Sequence, residues 1–110
     1  MKTEHKKDYI LINSEENTFL DFLAVFKKEH FNYTEKHLII NILDKFNASK
    51  ENILLFLEYA DKHQANGTSF VLVLKGVNID DFPEELNIVP TLVEAEDVIE
   101  MENIQRDLGF

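Results

Sequence analysis

Residues 36 to 76, KHLIINILDKFNASKENILLFLEYADKHQANGTSFVLVLKG, constrain the fold more than any other stretch of the chain. His37 to Leu43 is a near-continuous apolar run, β-branched at Ile39, Ile40 and Ile42 and too short for a lone helix, which is how a strand buried on both faces reads. Ser49 stands just before Lys50, Glu51 and Asn52, where its hydroxyl can accept a bond from a free first-turn amide, so a helix is predicted to start there. Ile53, Phe56, Leu57 and Ala60 recur at i, i+3, i+4 and i+7 and give that helix one apolar side. Asn66-Gly67 supplies a left-handed stop, and Ser69 to Leu74, SFVLVL, reads as a second buried strand. Two buried strands joined through one helix of about four turns run parallel, with a right-handed crossover.

The flanks extend this unit. Tyr9 to Asn13 reads as a short strand, Ser14 to Asn17 as a turn, and Asn17 or Thr18 as the cap of a helix reaching about Glu29. Phe19, Phe22, Leu23, Phe26 and His30 share one stripe of that helix and are predicted to be core. Beyond Gly76, Asp80 to Leu86 reads as a short helix or helical turn and Asn87 to Val93 as a strand placed at a sheet edge, because Pro90 cannot donate to a ladder. Glu94 to Asp97 opens a C-terminal helix with Ala95, Val98 and Ile99 inward, and Met101 and Leu108 as further inward candidates. Residues 1 to 7, polar apart from Met1, are expected to be loosely held, and residues 8 to 110 to form one domain. The expected fold class is α/β: a four-stranded, mostly parallel or mixed sheet with helices mainly on one face.

Charge narrows the function classes. The formal net charge is −10, and from Asp80 onward ten carboxylates face a single base, Arg106. Such a surface repels phosphate backbones, so direct nucleic-acid binding is not expected. It serves either as a solvated face or as a docking surface for a basic partner. There is no cysteine, and His5, His30, His37 and His63 lack ligand spacing, so neither a metal site nor a cofactor is expected. His30 and His63 fall late in their helices, where a protonated ring suits the helix dipole. No apolar stretch approaches the roughly 18 residues of a spanning helix, and MKTEHKKDYI lacks a secretory pattern, so membrane insertion is not expected and a cytoplasmic location is. Neither Gly67 nor Gly76 belongs to a phosphate-binding loop, and no nucleophile elbow surrounds Ser49, His37 and Asp44, so catalysis is the weaker expectation.

The element order and the pieces LIINIL, FNAS, KENILLFLEYADKHQ, Asn66-Gly67 and SFVLVL, followed by NIVPTLVEA and EDVIEMENI, resemble the STAS domain shared by bacterial anti-sigma factor antagonists and the cytoplasmic tails of sulphate transporters. The likeness covers most of the chain and implies a STAS-like fold with a reduced N-terminal part. In the antagonists a serine at the helix N-terminus is phosphorylated by an anti-sigma factor that doubles as a kinase, and the added charge breaks the complex. Ser49 matches that serine by position; Ala48 stands where the family has an aspartate, and Lys50-Glu51 replace its following small residue and glycine. Short proteins of this kind encoded beside ribonuclease Z are also similar.

The resemblance implies a non-enzymatic module that docks a protein partner: an anti-sigma factor, a kinase-like regulator or another protein. The surface would be Asp44, Phe46, Asn47 and Lys50 with Asn13 and Glu15, and Ser49 would be either phosphoacceptor or helix cap. Phe46, an aromatic in a polar loop, is either a lid on the core or an exposed anchor. The alternatives are a small-molecule or nucleotide-binding domain using the same strand ends, an accessory subunit of an RNA-processing enzyme such as ribonuclease Z, or a homodimer formed through an edge strand or the acidic helix.

Overall fold

A computed structural model describes residues 1–109. Five strands, β1 (Lys2–His5), β2 (Ile10–Asn13), β3 (Leu38–Asn41), β4 (Phe70–Val73) and β5 (Asn87–Val89), form one sheet in the order of the chain. β2 to β5 are parallel neighbours, and β1 adds an antiparallel edge to β2. The parallel pairing of the two central buried strands agrees with their sequence pattern, as does the edge position of β5 beside Pro90.

Four helices surround the sheet: α1 (Phe19–Glu29), α2 (Lys50–Leu54), α3 (Leu57–Ala65) and α4 (Leu92–Asp107). Because the parallel strands are laid down in chain order, crossovers of one hand put α1, α2 and α3 on the same face. There Phe19, Phe22, Phe26, Ile53, Phe56 and Tyr59 pack on Ile12, Leu38, Ile40, Phe70, Leu72 and Ile88. The alternate residues of the strands, Leu11, Ile39, Val71 and Val73, point the other way and meet Ala95 and Ile99 of α4.

Several expectations are corrected. Three of the four helices share one face, in line with the expected arrangement, but α4 covers the opposite side of β3, β4 and β5. The sheet has five strands rather than four, because residues 2 to 5 are not loose but pair with β2, an interaction made by backbone groups and therefore invisible in a polar side-chain pattern. The hairpin is closed by the Lys6 amide donating to the Tyr9 carbonyl at 2.9 Å, and the Met1 amine pairs with Glu16. The helix after Ser49 is interrupted at Leu55 and Phe56, whose amides bond to the carbonyls of Asn52 and Ile53, three residues back. Of the short helix or helical turn expected over 80–86, the structure has the turn, a 3-10 turn at Ile79–Asp81. The last strand stops at Val89, and α4 begins at Leu92 under a Thr91 cap, whose hydroxyl oxygen accepts from the Glu94 amide at 3.2 Å. Met101 and Leu108 point outward and are exposed.

Candidate functional site

The sequence-selected residues gather at the carboxyl ends of the parallel strands, where open α/β sheets place ligands. Asn13 ends β2 and faces Asn41 in register across β3. The Asn41 side-chain Nδ2 donates to Oδ1 of Asn13 at 3.1 Å, and Nδ2 of Asn13 donates to the Glu4 carboxylate at 2.9 Å, giving a polar ladder over three strands. Ser14 follows, buried. Its hydroxyl donates to the Asn41 carbonyl at 3.1 Å and accepts from the Leu43 amide at 3.2 Å, so the end of β2 is fastened to the loop after β3. Glu15, one residue further, is exposed.

That loop is short and fixed at each step. Asp44 to Phe46 make a 3-10 turn, and the Asn47 amide closes it on the Asp44 carbonyl at 3.1 Å. Asn47 has φ +46°, a left-handed conformation that asparagine tolerates better than other side-chain-bearing residues. Ala48 leans on the core, and Ser49 caps α2, its hydroxyl oxygen accepting from the Asn52 amide at 3.1 Å. Asp44, Lys45, Asn47, Ser49 and Lys50 are all exposed. Phe46 is not an exposed anchor: its ring turns inward, 6.3 Å edge-on to Phe19 and 6.3 Å nearly parallel to Phe22. It is the lid, and it pins the loop to the core. A shallow cleft of about 240 Å³ opens between this loop and the end of β4, bounded by Leu43, Asn47, Lys75 and Gly76.

Two polar clusters escaped the sequence reading. In the first, Nε2 of His30 at the end of α1 lies 2.8 Å from Nε2 of His63 in α3, and Nδ1 of His63 lies 2.7 Å from the Thr68 hydroxyl. Both rings are buried. Burial lowers the proton affinity of His63 to about 4, and the neighbouring His30 adds to the effect. His30 is lowered too, by burial and then by the Lys62 charge. The rings are therefore neutral and share one hydrogen between the Nε2 atoms, which corrects the expectation of protonated, dipole-facing histidines. The only forewarning was His30 lying on the apolar stripe of α1.

In the second cluster, buried Ser69 at the head of β4 donates to Glu102 at 2.6 Å and accepts from Arg106 at 3.0 Å. Glu102 also accepts from the side-chain Nδ2 of Asn87 at 3.2 Å, and the Ser69 backbone amide donates to Nδ1 of His37 at 2.9 Å. This network fastens α4 to the amino ends of the strands, opposite the sequence-selected loop. Glu102 and Arg106, four residues apart on a helix, were its one readable sign.

Among the described residues no group of three or more His, Cys, Asp or Glu side chains is arranged to hold a metal ion, and no helix is long and apolar enough to cross a membrane. No family model matches the chain, and no curated protein matches it. The fold is thus that of an α/β domain with a mixed five-stranded sheet clad in helices on two faces.

Proposed function

We propose that the protein is a non-enzymatic interaction module that docks a protein partner through the β3 to α2 loop and the start of α2. The observation that carries this reading is the way the loop is held: Ser14, Phe46 and the Asn47 turn fix its backbone, while Asp44, Lys45, Asn47, Ser49 and Lys50 stay exposed. A surface ordered before binding loses little entropy when a partner arrives. The STAS-like pattern of the loop is consistent with an anti-sigma factor or similar regulator as that partner. On this reading Ser49 is also the switch. Its hydroxyl is exposed at a helix cap between Lys45 and Lys50, and a phosphate there adds about −1.5 to −2 charges to the docking surface.

The test is affinity capture from native lysate with wild-type, Ser49→Asp and Lys45→Glu/Lys50→Glu baits, read by partner and intact-mass spectrometry. The reading expects one partner held by wild type and lost from both variants, with a phosphate on Ser49 in protein from cells. A partner retained equally by all three baits removes the loop from the interface. The cleft of about 240 Å³ beside the loop favours a second reading, a small-molecule or nucleotide binder. A thermal-shift panel of nucleotides and metabolites separates the two: stabilisation abolished by Lys75→Glu supports the binder, and a flat panel counts against it.

A further inference from the structure

α4 carries two apolar rows. Ala95 and Ile99 begin the inward row, which continues through Glu102 and Arg106. Two positions after each stands Asp97, Met101, Ile104 and Leu108, about 200° further round the helix. The outward row is largely exposed: Met101 is 61% exposed, Ile104 54% and Leu108 66%, and Val93 on the same side is 66% exposed. Two turns of uninterrupted Met, Ile and Leu at i, i+3 and i+7 on the outer surface of a helix are the pattern of a seam awaiting a second helix.

The charge beside the seam selects its occupant. Glu94, Glu96, Asp97, Glu100 and Asp107 are exposed along α4, and its one base, Arg106, is committed to Ser69 and Asn103. Between the seam and the turn that leads into β2 lies a groove of about 470 Å³ with Tyr9 and Ile104 in its walls and the carboxylates of Asp8, Glu96, Glu100 and Asp107 around it; among the described residues no basic side chain lines it. The Tyr9 hydroxyl donates to Glu96 at 2.7 Å and is pushed up to about 12 by burial, by that bond and by the charges of Glu96 and Glu4. A second copy of this chain would bring like charges together along the whole seam, at a cost that rises with each close pair.

We infer that the outer face of α4 is a docking seam for a basic amphipathic helix of a partner protein, with apolar residues of that helix over Met101, Ile104 and Leu108 and its lysines or arginines in the acidic groove beside Tyr9. This surface lies on α4, apart from the β3 to α2 loop, and does not depend on the reading of that loop.

The experiment titrates the isotope-labelled protein with a synthetic amphipathic helix of leucine and lysine, using as control a peptide of the same composition shuffled so that the leucines no longer line one face. Binding is followed by anisotropy and by backbone amide shifts. The expected result is saturable binding of the amphipathic peptide, shifts confined to α4 and Tyr9, and binding at least ten-fold weaker for the shuffled peptide. Ile104→Asp adds attraction for lysine while removing the seam, so an affinity at least ten-fold lower in that exposed-position variant isolates the apolar contact. Equal binding of the two peptides, unchanged binding by Ile104→Asp, or shifts centred on residues 44–53 would each overturn the inference. So would a wild-type dimer in sedimentation that Ile104→Asp dissociates, since the occupant would then be a second copy.

Discussion

The two faces of the sheet are built to different specifications. Under α1, α2 and α3 the core is thick and aromatic, with Phe26 in edge contact with Phe56, Tyr59 and Phe70 at centroid distances of 5.4, 4.9 and 6.2 Å. Under α4 it is thin and aliphatic, with Ala95 and Ile99 meeting Leu11, Ile39 and Val71, and the helix is tied down as much by Glu102 and Arg106 as by apolar contact. The difference teaches a division of labour: one face carries the stability, while the other holds a helix whose outer side is free to meet something else.

Core truncation tests that division most severely. Phe56→Ala should destabilise by about 3–5 kcal/mol, and Ile99→Ala by about 2 kcal/mol, the low end for such a deletion because α4 can settle onto the space left. Urea melts of the two variants measure both. A cost for Ile99→Ala matching that of Phe56→Ala would erase the distinction between the faces.

Acid titration sharpens the comparison, because the buried histidine pair belongs only to the thick face. His63 falls from its ordinary 6.5 to about 4 on folding, so between those pH values the unfolded chain binds the proton and the folded chain does not. Its contribution is thus intact above about pH 6.5 and is lost as pH falls toward 4, by on the order of 2–3 kcal/mol. His63→Leu should flatten that part of the stability profile, whatever it does to stability at neutral pH. A profile as steep in the variant as in wild type would assign the acid sensitivity to His30 or to carboxylates instead.

The smallest expected effects are at the caps. Ser49→Ala on the thick face and Thr91→Ala on the thin face each remove one side-chain bond to a first-turn amide and should cost about 1 kcal/mol. Hydrogen exchange should place the loss from Thr91→Ala in α4 and leave α1 and α3 unchanged. Exchange accelerated equally in all the helices would mean that the two layers unfold as one unit.

The thick face was legible because its strands are buried runs and its first helix has a clean stripe, with Thr18 and Ser49 marking where helices begin. α4 was harder to read. Apolar residues on both its sides blur the period, so Met101 and Leu108 read as inward when they are not. β1 left no mark, since its pairing is carried mainly by the main chain and its bond from Asn13 to Glu4 joins residues nine apart. His30 and His63 are 33 residues apart, as are Ser69 and Glu102, and no local pattern encodes such meetings. At the loop, Ser49 as a cap followed from its position before the helix, but the direction of Phe46 did not, because one aromatic in a polar segment has no periodicity to orient it.

The strand order has a consequence for how the chain reaches this state. Every strand pairs with its neighbour in sequence, so the sheet can grow by successive addition, each new strand joining an edge already present as the chain lengthens. Only α4 must reach back far, its Glu96 meeting Tyr9 across 87 residues. α4 can dock only once the sheet is in place, so it should join last and leave first, its docking the latest event in refolding and its departure the earliest in unfolding.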